Sequence, residues 1–183
     1  EIRTMIKKNT LIISIILNLI FSTQKILIPM DNNQTNHLKA YGITFSSLEM
    51  NNKVDWLLNY KGGSFVFDFS NRIKKECLLK DVFYEVLSIE EISMIYSMIE
   101  QENMELVILE KTPKIAVYSP KNKQPWDDAV TLVLKYAEIP YDIIYDSEIL
   151  NNLLPLYDWL HLHHEDFTGQ YGKFYRSFKN APW

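Results

Sequence analysis

Three of the four histidines of this chain fall at His161, His163 and His164, in the run L-H-L-H-H-E-D-F-T-G-Q at 160–170. Imidazole nitrogens and carboxylate oxygens together are donors that suit zinc or another divalent ion. On a β-strand successive side chains point to opposite faces, so His161 and His163 share one face and Glu165 extends it if the strand continues. The candidate ligand site is therefore His163, His164, Glu165 and Asp166, with His161 and His163 as the pair that would hold a divalent metal. Thr168 and Gln170 add polar groups in the following loop. In open α/β sheets ligands gather outside the carboxyl ends of strands, which is where this cluster would fall. The competing reading is structural, with strand-end histidines hydrogen-bonding nearby loop carbonyls.

A second candidate is the turn Lys61-Gly62-Gly63-Ser64. The backbone N–H groups around Gly62 and Gly63 could cradle a phosphate or carboxylate. The segment has neither the P-loop nor the dinucleotide-binding glycine pattern, so a plain hairpin turn is the simpler expectation. Trp126-Asp127-Asp128 stands where a helix should start. Two carboxylates there suit capping rather than anion binding. Cys77 lies among Arg72, Lys74, Lys75 and Lys80, cations that can lower a thiol pKa. It falls inside a predicted helix rather than on a strand-to-helix elbow, so the expectation is a packed, inert thiol.

The elements that must position these groups alternate. Strands are expected at Lys25–Met30, Val54–Tyr60, Val82–Leu87, Lys114–Ser119, Tyr141–Tyr145 and Leu156–Leu162, and Phe65–Phe69 reads as a hairpin return after the glycine turn. Leu38, Tyr41, Phe45 and Leu48 recur at helical spacing, and a short helix is expected over Arg72–Lys80. Ser88 with Glu91 forms a capping box ahead of a helix whose core stripe is Ile92, Ile95 and Ile99. Further helices are expected through Val130, Leu134 and Ala137 and over Ser147–Leu154. Pro120–Pro125 reads as a loop. This order predicts an α/β fold with a mainly parallel sheet flanked by helices, flavodoxin-like in outline, with a boundary at Thr112-Pro113. A weak echo between the segments around Ile26–Val54 and Ile115–Tyr141 leaves duplication open.

The 183 residues are 47% hydrophobic and 23% charged, which is globular composition. A net charge of -4, with aromatic residues interleaved with acids, argues against nucleic acid as a partner. One cysteine excludes an internal disulfide framework. Lys7 and Lys8 precede the apolar run Leu11–Phe21 and the small polar stretch Ser22-Thr23-Gln24, a pattern that reads as a secretory signal peptide beginning at Met5. The run is too short for a transmembrane helix. The expectation is an exported protein, periplasmic or extracellular, with no transmembrane span once the signal is removed. Losing Arg3, Lys7 and Lys8 makes the remainder more acidic, which does not favour anionic lipid. At the other end Phe174, Tyr175, Phe178 and Trp183 form a dense aromatic run, and the expectation there is a chain that continues. The domain reading is 1–24 upstream residues and signal, 25–112 an N-terminal α/β unit, and 113–183 the start of a second α/β unit.

Several longer stretches stand out together: I-L-I-P-M-D at 26–31, N-H-L-K-A-Y-G-I at 36–43, W-L-L-N-Y-K-G-G-S-F at 56–65, P-W-D-D-A-V-T-L-V-L at 125–134 and Y-D-W-L-H-L-H-H-E-D-F-T-G-Q-Y-G-K-F-Y at 157–175. They resemble a family of secreted bacterial proteins labelled asparagine synthetase B. The order of elements from Lys114 onward resembles the class I glutamine amidotransferase-like fold, and the expectation is that it is incomplete at its C-terminus. Glutamine-dependent asparagine synthesis would need a cysteine exposed after Met removal and an S-G-G-x-D-S-type loop for pyrophosphate. Neither is present. No G-x-C-x-G or G-x-S-x-G elbow occurs either, so no catalytic nucleophile is named. The functional expectation is an envelope protein binding a small-molecule ligand at the histidine cluster. The alternatives are an amidohydrolase or amidotransferase-like enzyme with its nucleophile beyond Trp183, or a metal-assisted hydrolase.

Overall fold

The computed structural model describes residues 24–119, 129–162 and 176–180. The expected signal peptide, the Pro120–Pro125 loop, the Trp126-Asp127-Asp128 cap and the aromatic residues Phe174, Tyr175 and Trp183 lie outside the described residues. The chain divides into two compact units. One runs up to Thr112 and takes in Tyr136–Ile139, and the other holds Pro113–Lys135 and the residues from Pro140 onward.

The first unit is built on a five-stranded sheet of β1 (Lys25–Ile28), β2 (Val54–Leu57), β3 (Ser64–Asp68), β4 (Glu85–Leu87) and β5 (Leu106–Leu109), in the spatial order β4-β1-β3-β2-β5. Every pairing in it is antiparallel. This overturns the expected mainly parallel, amidotransferase-like or flavodoxin-like sheet. The cause is the glycine turn. It folds β3 back beside β2, and β3 then lies between β1 and β2, which run the same way but never touch. The helical crossovers from β1 to β2 and from β3 to β4 thus each skip one strand, the split β-α-β arrangement, and the one from β4 to β5 passes three. Strand β5 has no counterpart in the sequence reading. Its L-V-I-L run carries no alternation to mark it.

Helix α1 (His37–Glu49) and helix α2 (Asn71–Leu79) cover one sheet face, where Ile26, Ile28, Ala40, Ile43, Phe65, Phe67, Ile73 and Cys77 form a core. Helix α3 (Ile89–Gln101) covers the other with Ile92, Ile95 and Ile99 against Leu27, Leu57, Val66 and Leu87. Strand β1 is apolar on both faces because both are covered. Each such side chain, fully buried, stabilises by about 1.5–3 kcal/mol. Asn36 caps α1 by accepting from the Lys39 N–H, Ser70 caps α2, and the Ser88–Glu91 capping box starts α3 as expected.

Two details bind Tyr136–Ile139 into this unit. Glu138, exposed, accepts hydrogen bonds from Lys39 Nζ at 2.6 Å and pairs with Lys80 Nζ at 2.9 Å. Those two cations, Lys39 first, hold its carboxyl down at about 2. Gly42, inside α1, meets the chain so closely that a Cβ there would lie 1.8 Å from the Ala137 carbonyl oxygen.

The second unit carries a three-stranded sheet of β6 (Ile115–Tyr118), β7 (Asp142–Ile144) and β8 (Trp159–Leu162), in the order β7-β6-β8, all parallel. Among the described residues parallel pairing is confined to this sheet. Helix α4 (Ala129–Ala137) connects β6 to β7, and helix α5 (Asp146–Leu150) with a 3-10 turn at Leu154–Leu156 connects β7 to β8. The buried stripe of α4 is Thr131, Leu134 and Ala137, with Val130 only half-buried.

Candidate functional site

In the parallel sheet β6 is central, and the chain moves from it first to β7 on one side and then to β8 on the other. In open parallel sheets such a change of direction marks the carboxyl ends of the two strands beside it, here β6 and β8, as the place where ligands are taken. Register fixes what stands there. Tyr118 pairs with Ile144 and with Leu162, so those three residues form the last rung. One rung below, buried Val117 lies between Ile143 and His161.

His161 is thus on β8, half-buried, one residue before the strand ends. His163, His164, Glu165 and Asp166 follow directly in the sequence and lie outside the described residues. Among the described residues no group of three or more His, Cys, Asp or Glu side chains is placed to hold a metal ion.

The described part of this end of the sheet holds a polar pair that the sequence reading missed. The Tyr118 hydroxyl donates to Asp146 Oδ1 at 2.6 Å, and the Tyr118 and Tyr145 rings meet at 5.3 Å. Asp146 is held at the start of α5. There Glu148 accepts from the Tyr145 N–H at 2.9 Å and from the Ser147 hydroxyl at 2.8 Å. Ser119, buried, donates its N–H to the Ile144 carbonyl and so fixes the path out of β6. The signal that marks these groups is position alone. Tyr118 and Tyr145 sit at the carboxyl ends of β6 and β7, and Asp146 opens the next connection.

Gly62 and Gly63 belong to the first unit, in the β2–β3 turn. Both take positive φ, 78° and 97°, a backbone region that glycine enters without steric cost. The N–H groups of Gly63 and Ser64 both donate to the Tyr60 carbonyl, and the Lys61 carbonyl accepts from Met30 N–H at 2.9 Å. Those two N–H groups are spent inside the turn rather than turned toward an anion. A Cβ at Gly62 would stand 2.4 Å from the Met30 oxygen, so close packing against the β1 exit also requires glycine. Lys61 itself pairs with Glu85 at 2.8 Å.

Around that exit Gln34 acts as a buried bracket. Its amide nitrogen donates to the Pro29 and Phe83 carbonyls at 2.8 and 3.2 Å. Its oxygen accepts from the Phe83 and Asn36 N–H groups at 2.9 and 3.2 Å. Cys77, on α2, is fully buried in the core, and burial pushes its thiol up to about 12. The neighbouring lysines do not reverse this, so the thiolate nucleophile is suppressed. No helix among the described residues is long and apolar enough to cross a membrane. No protein-family model matches the chain, and no curated protein or solved structure matches it.

Proposed function

We propose that the protein binds a small polar ligand at the carboxyl ends of β6 and β8, through His163, His164, Glu165 and Asp166. A divalent metal held by His161 and His163 is one form that ligand can take. The observation that carries this reading is the strand order β7-β6-β8. It makes the β6–β8 boundary the point where the chain reverses direction, and such points are where open parallel sheets take ligands. The four proposed residues follow β8 at that boundary in the sequence, and the Tyr118–Asp146 pair adds a fixed hydroxyl and carboxylate to the same end of the sheet. The reading places the protein in the cell envelope as an exported member of the family labelled asparagine synthetase B. The support for this is the basic-then-apolar pattern from Met5 and the motif over 157–175.

The test is a thermal-shift screen of zinc chloride, free amino acids and their amides against the wild type, His163→Ala and Glu165→Gln. A ligand at one hundred times its Kd adds about 2.7 kcal/mol of stability, an easily read rise in Tm. The expected result is a stabilising compound whose effect is lost in both variants while their unliganded Tm holds. Stabilisation of equal size in all three proteins removes these residues from the site.

A further inference from the structure

Strand β5 is one edge of the five-stranded sheet. It pairs with β2 on one side, and no described strand pairs with the other. The Leu58 N–H donates to the Glu105 carbonyl at 2.9 Å. In an antiparallel ladder alternate residues share that orientation, so Glu105, Val107 and Leu109 turn their backbone groups toward β2. The amide and carbonyl groups of Leu106 and Ile108 therefore point outward. No described backbone group meets them. The Ile108 side chain is 54% exposed. Folded sheets usually cover or blunt an apolar edge of this kind, because its free donors and acceptors template another strand.

Beside that edge, on the face covered by α1, lies an apolar groove of about 200 Å³. Trp56, Phe65 and Leu109 form its floor, and Tyr41, Phe45 and Leu48 form its α1 wall. It exists because α1 and α2 bury the middle of the sheet, while Trp56 and Leu109, toward β5, are only part-buried. The floor is rigid. The Trp56 indole N–H donates to the Gly63 carbonyl at 3.2 Å, and its ring stacks on Phe65 at 6.2 Å. A strand laid against β5 would alternate its side chains between this groove and the face of Ile108.

Charge around the edge is asymmetric. Glu102 and Glu105 are exposed at the start of β5, and among the described residues neither has an ion pair. At the other end Glu110 is neutralised by Lys53 Nζ at 2.5 Å.

We propose that the β5 edge and the adjoining groove form a docking site for an extended segment of a partner protein. The segment adds as a sixth strand, with apolar side chains at alternate positions and a lysine or arginine at the end beside Glu105. Main-chain hydrogen bonds to Leu106 and Ile108 supply affinity, and the groove and the acidic end supply selectivity.

The test uses the full chain and two blocked, fluorescently labelled peptides of alternating valine and threonine, one ending in two lysines and its twin in two glutamates. Fluorescence anisotropy should show saturable binding of the lysine peptide, about fivefold or more tighter than the twin. Ile108→Pro removes an outward N–H without touching the ladder to β2, a position where an edge strand tolerates proline. It should weaken binding about tenfold or more with the circular dichroism spectrum unchanged. Ile108→Lys, which blunts the edge by charge, is the second variant should proline disturb the fold. Glu105→Lys should reverse the preference between the peptides. Absence of binding, equal binding of both peptides, or binding indifferent to both Ile108 variants overturns the proposal. So does hydrogen exchange in the free chain showing the Leu106 and Ile108 amides as protected as Val107, since the edge would then already be occupied by the chain itself or by a second copy.

Discussion

Replacing Gln34 with leucine tests how the first unit joins its elements. The side chain is 6% exposed and makes four hydrogen bonds, to Pro29, Phe83 and Asn36. Gln34→Leu keeps the bulk and removes all four. The Pro29 carbonyl is buried and loses a partner outright, which costs about 1–3 kcal/mol. The other three groups are only part-buried, and water recovers some of their loss, leaving about 0.5 kcal/mol each. The sum is about 3 kcal/mol, a large part of the 5–15 kcal/mol typical of a domain. With a urea slope of about 2 kcal/mol/M, the midpoint should fall by about 1.5 M. Equilibrium urea unfolding followed by circular dichroism reads this directly. Gln34→Glu sharpens the test. It keeps the acceptor but turns a carboxylate toward the Pro29 and Phe83 carbonyls, so the introduced carboxyl has a folded pKa raised above its unfolded value of about 4.3. Its stability is then fully present below that value and lost as pH rises through the folded pKa. This variant should approach the wild type at pH 4 and Gln34→Leu at pH 8. A Gln34→Leu loss under about 1 kcal/mol, or a Gln34→Glu variant that gains stability with rising pH, refutes the bracket.

Three further outcomes follow from the same unit. Gly42→Ala ought to stabilise a helix interior by about 1 kcal/mol, yet the Ala137 oxygen 1.8 Å from the new Cβ should make it a net loss of about 1–3 kcal/mol, read as a lower Tm; a rise in Tm contradicts the close approach. Cys77 should resist iodoacetamide in the native protein at pH 8 and react on unfolding in urea, so rapid native labelling would show that the thiol is not held up near 12. Glu138→Gln should cost under about 1 kcal/mol at pH 7, because the pair is exposed. The depressed carboxyl means this contribution is present above its ordinary 4.5 and fades as pH falls through about 2, so the stability curves of wild type and variant should converge in acid and not in base.

Local signals in the sequence proved readable where one short-range rule governs. Ser88 with Glu91, the Ile92-Ile95-Ile99 stripe and the glycine hairpin each follow from spacing within a few residues. Strand neighbours are a different matter. Alternating strands and helices are compatible with a parallel sheet and with the split arrangement found here, and only the pairing of β3 between β1 and β2 separates them. Nothing local to Phe65–Phe69 records that β1, forty residues earlier in register, will lie beside it. Strand β5 escaped because a four-residue apolar run has no period to read. Gln34 escaped for a related reason. In a polar turn it resembles the residues that cap a helix, whereas Asn36 takes that role and Gln34 is buried and hydrogen-bonds Phe83, a partner distant in sequence. Of the expected histidine cluster only His161 falls among the described residues, and its register beside Val117 could not be read from the spacing of histidines.

The position of β1 has a consequence for the chain as it is made. Ile26, Leu27 and Ile28 are fully buried in the first unit, and they are translated before every other strand of its sheet. Both strands that flank β1 come later, β3 ending at Asp68 and β4 at Leu87. At a synthesis rate of about 5–20 residues per second, this apolar strand waits several seconds before its second neighbour exists. Until β3 is made it is an unpaired apolar ribbon, and until β4 is made one of its edges stays open.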